Sequence, residues 1–141
     1  MKKSFALTCV VLISVALFSS CKNEEGESLL LPEVTIPVIA LNNSTEAFSY
    51  SIAAKNYTKQ EVYNLQVVSD SIRISYATSS ITSGQMEILV ELKDGTKLVS
   101  RNLSGVLAAN DYKKIKSPLS KVTLNYSNFT GQFALSLNNI I

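Results

Sequence analysis

From Phe48 onward, apolar side chains recur at every second position. Phe48, Tyr50 and Ile52 alternate with Ser49, Ser51 and Ala53, and Ile72, Ile74 and Tyr76 with Arg73, Ser75 and Ala77. Ile88, Val90 and Leu92 follow the same rule, as do Val122, Leu124 and Tyr126, and then Phe133, Leu135 and Leu137. A period of two places alternate side chains on opposite faces of an extended strand, one face dry and one wet. No segment sustains the 3.6-residue period of a helix. A chain patterned this way must press the apolar faces of its strands together, so the expected fold is all-β, a single antiparallel β-sandwich of about seven strands.

Turn chemistry punctuates the strands. Asp94-Gly95 lies between the runs 86–93 and 96–103 and predicts a two-residue hairpin. Asn128-Phe129-Thr130-Gly131 is expected to turn the last two strands against each other. An apolar stretch over 34–41 predicts a first strand, confined to an edge because Pro37 lacks an amide hydrogen. Thr58-Lys59-Gln60-Glu61 fits a capping box opening one helical turn, and 106–112 fits a short helix or an irregular crossover. With a Thr82-Ser83-Gly84 turn, a Lys93-Asp94-Gly95-Thr96 hairpin and the closing Asn-Phe-Thr-Gly pair, the stretch 72–137 loosely resembles the small immunoglobulin-like or fibronectin-like sandwich domains of secreted bacterial proteins. That resemblance implies a fold and leaves function open.

The N-terminus carries an address. Lys2 and Lys3 precede a fourteen-residue apolar run, Phe5 to Phe18, and then Ser19-Ser20-Cys21. The run is shorter than the roughly 20 residues a membrane-crossing helix needs, and has the layout of a cleavable signal. Leu17-Phe18-Ser19-Ser20-Cys21 resembles the lipobox of bacterial lipoproteins. The resemblance implies cleavage before Cys21 and lipid on its thiol, holding the protein on a membrane. Lys22-Asn23-Glu24-Glu25 looks like the acidic signal that sends some Gram-negative lipoproteins to the outer membrane and its cell-surface face. The expected organisation is a signal peptide over 1–20, a lipidated Cys21 and flexible tether over 21–33, and a sandwich over 34–141.

Composition narrows the chemistry. Losing Lys2 and Lys3 from thirteen Lys and Arg leaves eleven, against eleven Asp and Glu. A balanced surface does not attract a polyanion, so nucleic acid is not an expected partner. Cys9 leaves with the signal and Cys21 takes the lipid, so the mature domain has neither disulfide nor free thiol. There is no histidine, which removes the commonest general base and metal ligand. No nucleophile elbow, phosphate loop or thiolate zinc motif occurs. Glu87 and Glu91 share a strand face with backbones about 13 Å apart, beyond the separation glycoside hydrolysis uses. They read as solvated charges. Asp70, Asp94 and Asp111 fall in expected turns without the dense acidic loop calcium needs. No cofactor, metal or catalytic residue is expected.

Three tyrosines in less regular segments, Tyr57, Tyr63 and Tyr112, are candidate exposed aromatic contacts, while Tyr50, Tyr76 and Tyr126 fall on core faces. Asp70-Ser71-Ile72 resembles a short O-glycosylation signal of envelope proteins, with Ser71 as acceptor. The sequence thus predicts a membrane-anchored envelope lipoprotein acting as a non-catalytic interaction or structural module, with an envelope protein as partner. The alternative is a surface lipoprotein that binds a glycan or another small ligand.

Overall fold

The computed structural model describes residues 36–140. The signal, Cys21 and tether expected over 1–33 lie outside the described residues. The described chain is all strand and loop: β1 (Val38–Asn43), β2 (Ala47–Asn64), β3 (Ser71–Leu92), β4 (Lys97–Leu103), β5 (Leu107–Lys114) and β6 (Leu119–Asn139). Every pairing is antiparallel. The hydrogen-bonded order is β1-β2-β6-β3-β4, with β5 joining β3 beside β4.

β2, β3 and β6 have 18, 22 and 21 residues, several times the usual strand length. Each bends midway, where its ladder shifts register: between Ala54 and Lys59 in β2 and between Ser79 and Gln85 in β3. Residues with positive φ mark the bends, Asn56 at 53° in β2, Ser80 at 54° and Gly84 at 74° in β3, and Asn128 at 49° in β6. Asparagine and glycine tolerate this region best. The three bends lie side by side. The Asn56 amide donates to Thr130 Oγ1 at 2.8 Å, and the Asn128 amide to Thr58 Oγ1 at 2.8 Å.

Bending folds one sheet into two layers. The first holds β1, 47–54 of β2, 131–139 of β6, 71–79 of β3, and β5; the second holds 57–64 of β2, 119–127 of β6, 83–92 of β3, and β4. A bulge shifts side-chain parity by one residue. In β2 the core face therefore passes from Phe48, Tyr50 and Ile52 to Tyr57, Glu61 and Tyr63, and in β6 from Leu137, Leu135 and Phe133 to Tyr126, Leu124 and Val122. The two halves of β2 meet across the core, with Tyr50 and Tyr63 ring centroids 5.5 Å apart and Phe48 and Tyr63 5.9 Å apart. All five alternating runs point inward as expected, and Phe48, Ile72, Ile88, Val122 and Leu137 are fully buried.

Several local expectations need correction. The segments 82–84 and 128–131 are bends within continuous strands, because one positive-φ residue in a ladder makes a bulge as readily as a turn. Thr58 to Glu61 belongs to β2 and 107–112 to β5, since Lys59 to Glu61 pair with β6 and all of 107–112 with β3, neighbours that sequence cannot display. β1 starts after Pro37, so the missing amide interrupts no ladder. The Asp94-Gly95 hairpin forms, but only Gly95 has positive φ, at 84°. With Gly95 N bonded to Leu92 O at 3.1 Å and Leu92 N to Thr96 O at 2.9 Å, it is a three-residue loop closed by a glycine bulge.

The bend of β3 packs directly on that of β6. A Cβ on Gly84 would lie 2.2 Å from the Asn128 carbonyl oxygen, whereas one on Gly95 would meet nothing within 4 Å. Gly84→Ala is therefore expected to destabilise the protein by about 2–4 kcal/mol in urea unfolding, and Gly95→Ala by about 1 kcal/mol from its left-handed backbone alone. Equal effects would contradict close packing at the bend.

Candidate functional site

The middle of the first layer's outer face is built from small, uncharged side chains, with Arg73 and Tyr112 in the next row towards the start of β3. Strand register places Asn42, Ser49, Ser136, Ser75 and Asn110 in one row across β1, β2, β6, β3 and β5. Beside it runs a second row, Ala40, Ser51, Ala134, Ala77 and Ala108. Adjacent strands lie about 4.8 Å apart, so each row presents a group at that interval over roughly 19 Å. The rows floor a trough of about 640 Å³ between the two edge strands. A further depression of about 360 Å³ shares Ala40, Ser51, Ala77 and Ala134 and continues the trough towards Ala53, Ser79 and Gln132.

The trough follows from strand alternation. Its residues are the outward partners of Phe48, Tyr50, Ile72, Ile74, Leu135 and Leu137, which the core requires. Sequence showed the outward positions as polar or small; only register reveals that they align by type. Ser75 Oγ donates to Asn110 Oδ1 at 3.0 Å, while Ser49 and Ser51 are exposed. The face offers hydroxyls and amides on one line and methyl groups on the next.

Behind this layer sits a buried carboxylate. Glu61 is 6% exposed. Its Oε2 accepts from the Tyr50 hydroxyl at 2.6 Å and the Tyr63 hydroxyl at 2.9 Å, its Oε1 from Tyr57 at 2.7 Å, and Lys59 Nζ stands 3.7 Å away. Tyr126 donates to the Tyr50 oxygen at 3.1 Å. Burial works to raise the Glu61 carboxyl, and the tyrosine hydrogen bonds with the Lys59 charge outweigh it, so its pKa lies below the ordinary carboxylate value. Burial and the same carboxylate hold the tyrosines protonated, with Tyr57 pushed up to about 12 and Tyr50 and Tyr63 raised further. Both carboxylate oxygens are committed to donors from the protein itself. The arrangement ties the two halves of β2 together and leaves the carboxylate little room to serve as a base.

Of the three candidate contact tyrosines, only Tyr112 is exposed, at 57%, on β5. Tyr57 and Tyr63 are half-buried and turned onto Glu61, a correction caused by the parity change at the β2 bulge. Ser71 opens β3, half-buried, and its Oγ accepts from the Tyr112 hydroxyl at 3.2 Å. Cys21 lies outside the described residues. Glu87 accepts from Asn125 at 3.0 Å, and Glu91 pairs with Lys121 at 3.2 Å. Asp94 caps the hairpin, accepting from the Thr96 amide at 2.9 Å, and Asp111 lies within β5 rather than in a turn, paired with Lys113 at 3.0 Å. Among the described residues, no three His, Cys, Asp or Glu come together as a metal site.

No family model and no curated protein matches the chain. Among solved structures it is similar to BiXyn10A CBM1 in its apo form, at 11% identity and a TM-score of 0.38, over 73% of this chain and 90% of that one. It is also similar to the C-terminal CBM6 of LamC, a marine laminarinase from Zobellia galactanivorans, at 15% identity and a TM-score of 0.38, over 74% and 91% of the two chains. A family 29 carbohydrate binding module complexed with mannohexaose matches at 10% identity and a TM-score of 0.37, over 74% and 91%. These likenesses assign the chain to no family.

The Glu61 cluster makes a pH prediction. A carboxyl with a depressed folded pKa contributes stability above the unfolded value of about 4.3 and loses it as pH falls through the folded one. Glu61→Gln, whose amide cannot accept all three hydroxyls, is expected to lower stability near neutral pH by about 1–3 kcal/mol. The gap should narrow as pH falls below the unfolded value and close as it passes through the lower folded one. At the alkaline end the Tyr57 contribution is complete below about pH 10 and fades as pH rises through about 12. Chemical unfolding across pH measures both limbs. A constant gap from pH 7 to pH 3 would contradict the ionised carboxylate.

Proposed function

We propose that the protein is a non-catalytic binding module, held on a membrane through Cys21, whose trough takes an extended neutral saccharide. The observation that carries this is the row of Asn42, Ser49, Ser136, Ser75 and Asn110 crossing all five strands of one layer beside a row made mostly of alanine. A polyhydroxylated chain has hydroxyls along its edges and C–H groups on its ring faces. It can exchange hydrogen bonds with the first row while resting apolar surface on the second. No charged side chain lines the trough, so an uncharged ligand loses no ion hydration on entering. Its volume falls within the usual range for ligand pockets. The chain has no Trp, and the trough rows bear no aromatic side chain for stacking, so affinity rests on hydrogen bonds and the regular floor.

Glu61 is committed to tyrosine hydroxyls, and Glu87 and Glu91 sit on the outer face of the other layer. These placements support binding without catalysis. A protein partner is the second reading, favoured by β1, an edge strand with Val38 72% and Leu41 48% exposed that offers an unpaired ladder for strand addition.

Affinity electrophoresis against soluble neutral glucans, mannans and galactans tests the trough. At least one class should retard the protein. Ser49→Ala with Ser136→Ala should weaken that binding by about tenfold or more through lost hydrogen bonds, and Ala134→Trp should block it. Retardation unchanged by both variants, or no retardation by any neutral polysaccharide, would overturn the proposal.

A further inference from the structure

β4 and β5 are edge strands of different layers on the same flank, because both pair with the same side of β3. The sandwich is open between them. On β4, register sets Val99, Arg101 and Leu103 opposite the buried Val90, Ile88 and Met86, which places Arg101 on the core-facing side of its strand. On β5, Ala109, Asp111 and Lys113 stand opposite Tyr76, Ile74 and Ile72, again the core-facing side. Three charged residues therefore border the interior exactly where no strand closes it off. Between the two strands lies a cleft of about 570 Å³, floored by Ile74 and Tyr76.

The charges are not balanced. Asp111 Oδ2 pairs with Lys113 Nζ at 3.0 Å, and its Oδ1 accepts from the Tyr112 amide at 2.9 Å. The hydrogen bond from Lys113 holds the Asp111 carboxyl below its ordinary pKa, so the pair stays ionised and mutually neutralised. No carboxylate among the described residues pairs with Arg101. A guanidinium carries five donors in a planar fork that fits a carboxylate with two hydrogen bonds. The half-buried Tyr76 lines the same cleft. The cleft thus combines one uncompensated cation, a neutralised Asp111–Lys113 pair and a floor of Ile74 and Tyr76.

We infer that this cleft is a second binding site, which takes the carboxylate of an acidic sugar on Arg101 while the sugar ring rests over Tyr76. Neither Arg101 nor Lys113 lines the trough, so the two sites are separable by mutation. The inference does not depend on neutral glycans binding the trough. Because the cleft is open to solvent, binding there should weaken as salt rises.

Isothermal titration of the purified protein with digalacturonate, its methyl ester and neutral galactobiose tests this. Digalacturonate should bind and the ester should not compete for it. Arg101→Gln should weaken binding by about tenfold or more, Arg101→Lys should restore part of it, and Ala134→Trp in the trough should leave it unchanged. No binding of digalacturonate to the unmodified protein, or binding that survives Arg101→Gln, would overturn the inference. If Arg101→Gln instead only promotes aggregation, the inward charge protects an open edge and the cleft is not a site. Failure of neutral glycans alone would overturn the trough proposal and leave this one standing.

Discussion

Where β3 crosses β6, the Asn128 carbonyl oxygen occupies the place that a Cβ on residue 84 would take. Only glycine lets the two backbones approach this closely, and its φ of 74° is the conformation the bend requires. Asn56 in β2, Ser80 in β3 and Asn128 in β6 bend the three long strands along one line, tied across it by Thr58 and Thr130. Without that line, strands of about twenty residues would run straight and leave their apolar faces uncovered. With it, a single hydrogen-bonded sheet closes on itself and the halves of each long strand bury one another.

The bend also decides what is inside and outside. The bulge at Asn56 turns Tyr57, Glu61 and Tyr63 inward, and Glu61 then finds Tyr50 from the other half of its own strand, eleven residues away. The first layer, its core face satisfied, is free to present two neutral rows of Ser, Asn and Ala at the middle of its outer face. The core-facing charges of β4 and β5 gather at the flank where the layers fail to meet. The neutral trough and the charged cleft are thus two products of one folding event, with opposite chemistry.

Much of this was legible in the sequence. The alternations at Phe48, Ile72, Ile88, Val122 and Phe133 specified strands and their buried faces, and the all-β sandwich followed. Asp94-Gly95 announced its hairpin. Asn128-Gly131 and Thr82-Gly84 carry turn chemistry yet lie inside strands, because positive φ bends a chain without stating whether a ladder continues beyond it. The capping-box pattern at Thr58 to Glu61 was overridden by pairing with β6, which lies some 65 residues further along the chain. The trough was not visible, since Ser49, Ser75 and Ser136 form a row only once three distant strands fall into register. Arg101 gave no local signal either, its side of β4 being fixed by Ile88.

The central claim is that the row across the first layer receives a neutral saccharide. An amide-resolved NMR titration of the isotope-labelled protein with a neutral oligosaccharide of whichever polysaccharide retards it tests this most directly. The account predicts that shifts concentrate at Asn42, Ser49, Ser75, Asn110, Ala134 and Ser136, leaving the outer face of the second layer around Glu87 and Glu91 unmoved. Shifts confined to β1 and its exposed edge, or scattered without regard to the row, would contradict it.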